Sequence, residues 1–129
     1  MIVLDTHALL WWTLDPEKLS NKAATICGEI EQRGAYLSSI SIWELGVKIR
    51  NGKLDLGMSI RDYDEKLERL GWLEIVPIDE WVWIRSLELD WGHRDPADRV
   101  IVATGLTLGL PLLTRDNVIG LSGQIQCIW

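Results

Sequence analysis

Five acidic residues occupy positions from which oxygen chemistry could be done. Asp5 follows the apolar run Met1 to Leu4, and Asp116 follows Leu112-Leu113. Glu44 and Asp98 stand near the starts of two further helical patterns, with Asp95 three residues before Asp98. Carboxylates brought together repel, and some take up protons unless a positive charge compensates. A donor set of carboxylate oxygens with no His or Cys partner suits a hard divalent cation, so Mg²⁺ or Mn²⁺ is the expected occupant. Asp5, Glu44, Asp98 and Asp116 are the expected ligands. Asp95 ranks below them, because Asp95-Pro96 before an apolar run reads as an N-cap followed by the first helical residue, with Asp98 in the first turn. Each acid also has a local explanation: strand-end turn for Asp5 and Asp116, arm of a capping box for Glu44, helix-end charge for Asp95 and Asp98. Those explanations give no reason for the acids to share one edge of a fold.

The elements that must position them follow from periodicity. Met1 to Leu4 suits a buried strand, and Thr6 is expected to cap a short apolar helix that stops before Asp15-Pro16. Ala23, Ile26, Cys27 and Ile30 give an amphipathic helix from Ser20 to Gly34. Tyr36 to Ile40 is expected as a second strand. Ser41 to Glu44 has the S-x-x-E pattern of a capping box opening a helix that ends at Asn51-Gly52. A Ser59-capped helix runs to Gly71, and Leu73 to Ile78 forms a strand that Pro77 moves toward a sheet edge. Asp79 caps a helix carrying Trp81, Ile84, Leu87 and Trp91. The helix behind Asp98 is apolar on nearly every face up to Gly109, which predicts a central, buried element. Leu112-Leu113 and Gln124 to Ile128 complete the strands. Strands alternating with helical patterns predict an α/β fold, three layers α/β/α around a central parallel sheet of four to five strands. Right-handed crossovers bring the carboxyl ends of such strands to one edge, where ligands bind.

The 129 residues suffice for a single domain, and no apolar run approaches the roughly 20 residues of a membrane span. No basic segment with a following apolar stretch opens the chain, so a cytoplasmic location is expected. Cys27 and Cys127 are read as small hydrophobes in a reducing compartment. The net charge of −6 opposes a polyanionic partner unless some acids hold cations. Eight tryptophans without phenylalanine place part of the aromatic surface at an interface.

Taken in order, Met1-Ile2-Val3-Leu4-Asp5-Thr6-His7-Ala8, Trp43-Glu44, His93-Arg94-Asp95-Pro96-Ala97-Asp98-Arg99 and Leu113-Thr114-Arg115-Asp116 resemble the ordered signature of PIN-domain ribonucleases, in particular the VapC-type toxins of prokaryotic toxin–antitoxin pairs. The resemblance spans residues 1–129. It implies a PIN-like fold and an endoribonuclease that uses Mg²⁺ or Mn²⁺ on structured RNA such as tRNA or rRNA, leaving a 5′-phosphate and a 3′-hydroxyl. It matches Asp5, Glu44, Asp98 and Asp116 to the acidic quartet, Asp95 to an additional acid of the D-P-x-D-R branch, and Thr114 to a hydroxyl beside the site. Asp5 and Asp98 are the expected inner ligands. Arg94, Arg99 and Arg115 either contact phosphate or pair with the neighbouring carboxylates; His7 is a further substrate-contact candidate, and His93 a local hydrogen-bonder. The resemblance also implies a homodimer and a cognate antitoxin whose carboxyl-terminal segment lies in a groove, with Trp11, Trp12 and Trp43 as candidates for its lining. Two rival classes remain: a non-catalytic module of the same fold, and an aspartyl-phosphate phosphoryl-transfer domain, which would want a second Asp where this chain has His7.

Overall fold

The computed structural model describes residues 1–129. Five strands, β1 (Val3–Leu4), β2 (Ala35–Ser38), β3 (Leu73–Val76), β4 (Leu112–Leu113) and β5 (Cys127–Ile128), form one parallel sheet in the order β3-β2-β1-β4-β5. The chain moves outward from β1 to β2 to β3 and then returns to the other side of β1. The strand order therefore reverses between β1 and β4, and open parallel sheets bind ligands at such a crevice.

Side-chain alternation along the strands makes two cores. Ile2, Leu4, Leu37 and Leu113 face one, with Ala8 and Leu9 of α1 (Thr6–Leu14), Ala23, Cys27 and Ile30 of α2 (Asn21–Arg33), Leu45 of α3 (Ile40–Arg50), and Tyr63 and Leu67 of α4 (Ile60–Glu68). Val3, Tyr36 and Leu112 face the other, with Val82 of α5 (Glu80–Glu88), the buried run Val100 to Ala103 of α6 (Pro96–Leu108), and Ile119 of α7 (Asn117–Gly120). Helices thus cover both faces, the expected α/β/α layering with five strands. α6 is as central as its all-round apolar sequence demands: Ala97 and Val100 through Gly105 are buried.

Local signals set most element ends. Ser20, Ser59 and Asp79 cap α2, α4 and α5 through their side chains, and α6 stops at Gly109 with φ +67°, a conformation that costs glycine little. β3 is an edge strand, consistent with Pro77 just beyond it. Several boundaries differ from expectation. β2 ends at Ser38, β3 at Val76, and β5 is confined to Cys127–Ile128; α5 ends at Glu88, leaving Trp91 in the following loop. Asp5, not Thr6, caps α1, its Oδ1 accepting from the Thr6 amide at 2.8 Å. The capping box is absent. α3 already begins at Ile40 behind Ser39, whose side chain makes no cap bond, so Ser41 is inside the helix and Glu44 stands one turn in. Both side chains are taken instead by Thr6, a tertiary partner that outcompetes the local amides. No tryptophan is fully buried. Trp12, Trp72 and Trp129 pack against the first core, while Trp43, Trp81 and Trp83 are exposed.

Candidate metal centre

Asp5 leaves β1 at the reversal point and is only 4% exposed. Beside it, Thr114 leaves β4, whose residues pair in register with those of β1, Val3 with Leu112 and Leu4 with Leu113. The Thr114 hydroxyl donates to Asp5 Oδ2 at 2.7 Å and accepts from the Asp116 amide at 3.0 Å. This relay fixes the distance between the two acid-bearing loops. Asp116 caps α7, its Oδ1 accepting from the Val118 and Ile119 amides at 2.7 and 3.3 Å.

On the other flank Thr6 holds α3 to the start of α1. Its hydroxyl lies 2.8 Å from Ser41 Oγ and donates to Glu44 Oε1. From the α6 side, Asp95 Oδ1 accepts from the Ala97 and Asp98 amides at 2.9 and 3.3 Å, so its capping role is realised. Asp98 Oδ2 lies 2.6 Å from His93 Nε2. One ligand atom from each of His93, Asp95 and Asp98 falls within 4.8 Å of the others, a spacing that a single cation can bridge.

The acids feel one another. Burial pushes the Asp98 carboxyl up to about 6, against the opposing bond from His93, and the charges of Asp95, Asp5 and Asp116 add to the rise. Burial also raises Asp5, despite its bonds to Thr114 and Thr6, with Asp116 contributing; Glu44 rises for the same reason, despite Thr6, with Asp5 and Asp95 contributing. Asp5, Glu44 and Asp116 stand outside the three-residue cluster of His93, Asp95 and Asp98 and are linked to it through charge, Asp5 being the most buried of the five acids. No lysine or arginine pairs with any of them within 4.0 Å. Oxygen donors that are desolvated, mutually repelling and without a lysine or arginine partner fit a hard divalent cation. Against the expectation of an oxygen-only site with no His beside it, His93 stands in the cluster, its Nε2 engaged with Asp98.

The basic and aromatic candidates divide. Arg99 does not face the acids: its guanidinium donates to the carbonyls of Ser86, Trp91, His93 and Leu89 at 2.9, 2.6, 3.0 and 2.9 Å, clasping the loop between α5 and α6. With the Leu87 carbonyl at 3.5 Å as a fifth, these account for its five donors, so neither phosphate contact nor carboxylate pairing describes it. Arg94 is exposed beside Trp91 and Pro96, away from Asp5. Arg115 is exposed, with its guanidinium carbon 5.6 Å from the Trp11 ring centroid. His7 Nε2 lies 3.5 Å from Lys48 Nζ, and the His7 ring is 5.6 Å from Trp11. Asp5, His7, Trp11, Arg115 and Asp116 line an open pocket of about 230 Å³. Trp12 instead stacks on Trp72 at 4.3 Å and belongs to packing.

Sequence reasoning passed over Thr6 and Ser41 as site residues and did not tie His93 to Asp98. The H-x-D-x-x-D spacing of His93, Asp95 and Asp98 was the available signal for the last.

The PIN domain family model matches residues 2–120. The chain belongs to the PIN-domain family. This PIN domain is 27% identical over 117 residues to ribonuclease VapC22 of Mycobacterium tuberculosis (strain ATCC 25618 / H37Rv), covering 90% of the chain and 87% of that protein. Its fold is that of FitAcB from Neisseria gonorrhoeae, with a TM-score of 0.71 at 24% identity over 100% of this chain and 97% of that one. VapBC2 from Rickettsia felis, bound to a DNA fragment from its promoter, also superposes with a TM-score of 0.71, at 16% identity over 100% and 99% of the two chains. A toxin–antitoxin complex from Klebsiella pneumoniae gives 0.66 at 17% identity over 100% and 97%. No helix is long and apolar enough to cross a membrane.

Proposed function

We propose that this chain is a divalent-metal-dependent endoribonuclease and the toxin of a toxin–antitoxin pair, formed by one PIN domain over residues 1–129. The observation that carries the reading is that burial raises Asp5, Glu44 and Asp98 together, with Asp95 and Asp116 among the charges that add to the rise, and that no lysine or arginine pairs with them within 4.0 Å. The likeness to ribonuclease VapC22 supports the substrate class, and the fold shared with a toxin–antitoxin complex supports an antitoxin partner; the homodimer follows from the family resemblance of the sequence alone.

When bound, Mg²⁺ or Mn²⁺ supplies a nucleophilic water near neutral pH and charge to offset that on the scissile phosphate. Asp5 and Asp98 would hold the ion, Glu44 and Asp116 would support it and orient water, and Asp95 would contribute charge while capping α6. Thr114, His93 and Thr6 each fix one carboxylate by a hydrogen bond, so the oxygens stand ready before substrate arrives. Arg115 lies in the same pocket as Asp5 and Asp116 and offers a phosphate the positive charge that the chain as a whole lacks, while His7 beside it is a further hydrogen-bonding contact for substrate. Cleavage leaves a 5′-phosphate and a 3′-hydroxyl, on tRNA or rRNA.

The test is incubation of the purified chain with total bacterial RNA in Mg²⁺, Mn²⁺ or chelator, with mapping of new 5′ ends and Asp98→Asn as control. Discrete cuts that need the metal and Asp98 are expected. Their absence, together with no heat on calorimetric titration with Mn²⁺, would favour the non-catalytic module.

A further inference from the structure

We propose that Trp11 and Arg115 form a subsite for one unpaired nucleotide of the RNA, the base stacking on the Trp11 ring and an adjoining phosphate held by Arg115. The proposal rests on the nuclease reading above. Trp11 is one of two neighbouring tryptophans with different surroundings. Trp12 is stacked on Trp72, whereas Trp11 is half-buried and forms a wall of the open pocket that also contains Asp5 and Asp116. Its ring is held upright by an edge contact with Trp129, centroids 5.6 Å apart and planes at 63°. The indole has the exposed Arg115 and Lys18 chains over its ring and the exposed His7 ring 5.6 Å away; where these surface chains swing aside it is a stacking platform beside Asp5 and Asp116, and every base offers a π-face to it.

The charges agree. Arg115 stands 5.6 Å from the ring centroid and Lys18 Nζ 6.0 Å from it, and neither is paired with an acid of the centre. A chain of net charge −6 with five clustered acids repels RNA unless cations meet the backbone locally. Arg115 is the cation placed to do so within the acids' own pocket. A base that stacks on Trp11 exchanges its stacking on a neighbouring base for the indole, which favours a nucleotide in a loop or single strand.

The probe is a synthetic oligoribonucleotide spanning the cut mapped in total RNA. Trp11→Ala is expected to lower kcat/KM by about 5- to 100-fold, mainly through KM, the range that loss of one base stack gives. Trp11→Phe, which keeps an aromatic face and the packing on Trp129, recovers most of it. In the Asp98→Asn background, Trp11→Ala weakens binding by a similar factor, read by fluorescence anisotropy. An abasic nucleotide beside the cleaved bond costs the wild type that same factor and costs Trp11→Ala nothing further. Equal abasic penalties in both proteins at every position, or Trp11→Phe no better than Trp11→Ala, would overturn the subsite. So would unchanged cleavage by Trp11→Ala accompanied by lost antitoxin copurification, which would give the ring to the protein partner. An inert wild type sinks the nuclease reading and the subsite together, whereas an active wild type matched by Trp11→Ala sinks the subsite alone.

Discussion

His93 Nε2 and Asp98 Oδ2 lie 2.6 Å apart, joining the loop before α6 to its first turn. An ionised carboxylate can only accept, so the hydrogen is on the imidazole. The pair fixes which way Asp98 presents its second oxygen. Partners of this kind typically contribute about 10- to 100-fold to metal affinity or activity. His93→Ala is therefore expected to weaken Mn²⁺ binding and cleavage together by such a factor, with His93→Gln milder because its amide still donates. Calorimetric Mn²⁺ titration beside kcat/KM checks this, and unaltered affinity in His93→Ala would leave the pair without a role in metal binding.

Asp95 and Asp98 separate by substitution. Asparagine at 95 keeps the oxygen that accepts from the Ala97 and Asp98 amides, so Asp95→Asn should melt like wild type and cleave at a moderately reduced rate. Asp95→Ala loses the cap and about 0.5–2 kcal/mol. Asp98→Asn removes charge without changing shape and should abolish cleavage with the fold retained. Metal-dependent cutting by purified Asp98→Asn would remove Asp98 from the mechanism, and equal losses in the two asparagine variants would reverse their ranking.

Stability should depend on pH in a direction set by burial. Asp98 is raised to about 6, and Asp5 and Glu44 are raised as well. The folded chain then binds protons more tightly than the unfolded one, so stability is lost as pH climbs from about 4 through the raised value of about 6 for Asp98, with Asp5 and Glu44 acting in the same direction. In chelator, the melting temperature should rise between pH 7.5 and pH 5.5. Saturating Mn²⁺ binds the ionised form and should stabilise most at pH 7.5, offsetting the slope. Equal melting at the two pH values in chelator would mean that the carboxylates are not jointly desolvated.

Thr6 tests how the flank holding Glu44 is built. Thr6→Val keeps the shape but removes the hydroxyl shared by Ser41 and Glu44. Leaving buried polar groups without a partner costs about 1–3 kcal/mol. Denaturant unfolding should report a loss in that range, and a loss under a few tenths would mean that water replaces the hydroxyl.

Arg99 is expected to behave as a structural residue. Lysine cannot reproduce a planar fork that reaches four separate residues' carbonyls. Arg99→Lys should lower the melting temperature by several degrees while leaving the salt dependence of RNA binding unchanged. A slope smaller by about one unit would instead assign it to phosphate.

The layering, the burial of α6 and the edge position of β3 were legible because they rest on local period and on proline and glycine. The acids could be named because each follows a strand or stands at a helix start. What could not be read was who holds them. S-x-x-E predicted that Ser41 and Glu44 would serve their own helix, yet Thr6, distant in sequence, takes both. Arg99 is adjacent in sequence to the acidic segment and points elsewhere, since five donors are satisfied by whichever carbonyls the loop presents. Side-chain partners of this kind are decided by tertiary proximity, which no local pattern encodes.

The bond from Thr114 to Asp5 also bears on how the fold is reached. It joins residues 109 apart in sequence, so the seat of Asp5 can form only after β4 has docked beside β1. A chain in which that docking fails has an unsupported Asp5, and Asp116 is no longer tied to it through Thr114. Completion of the acidic site is thereby coupled to a late, long-range closure of the sheet.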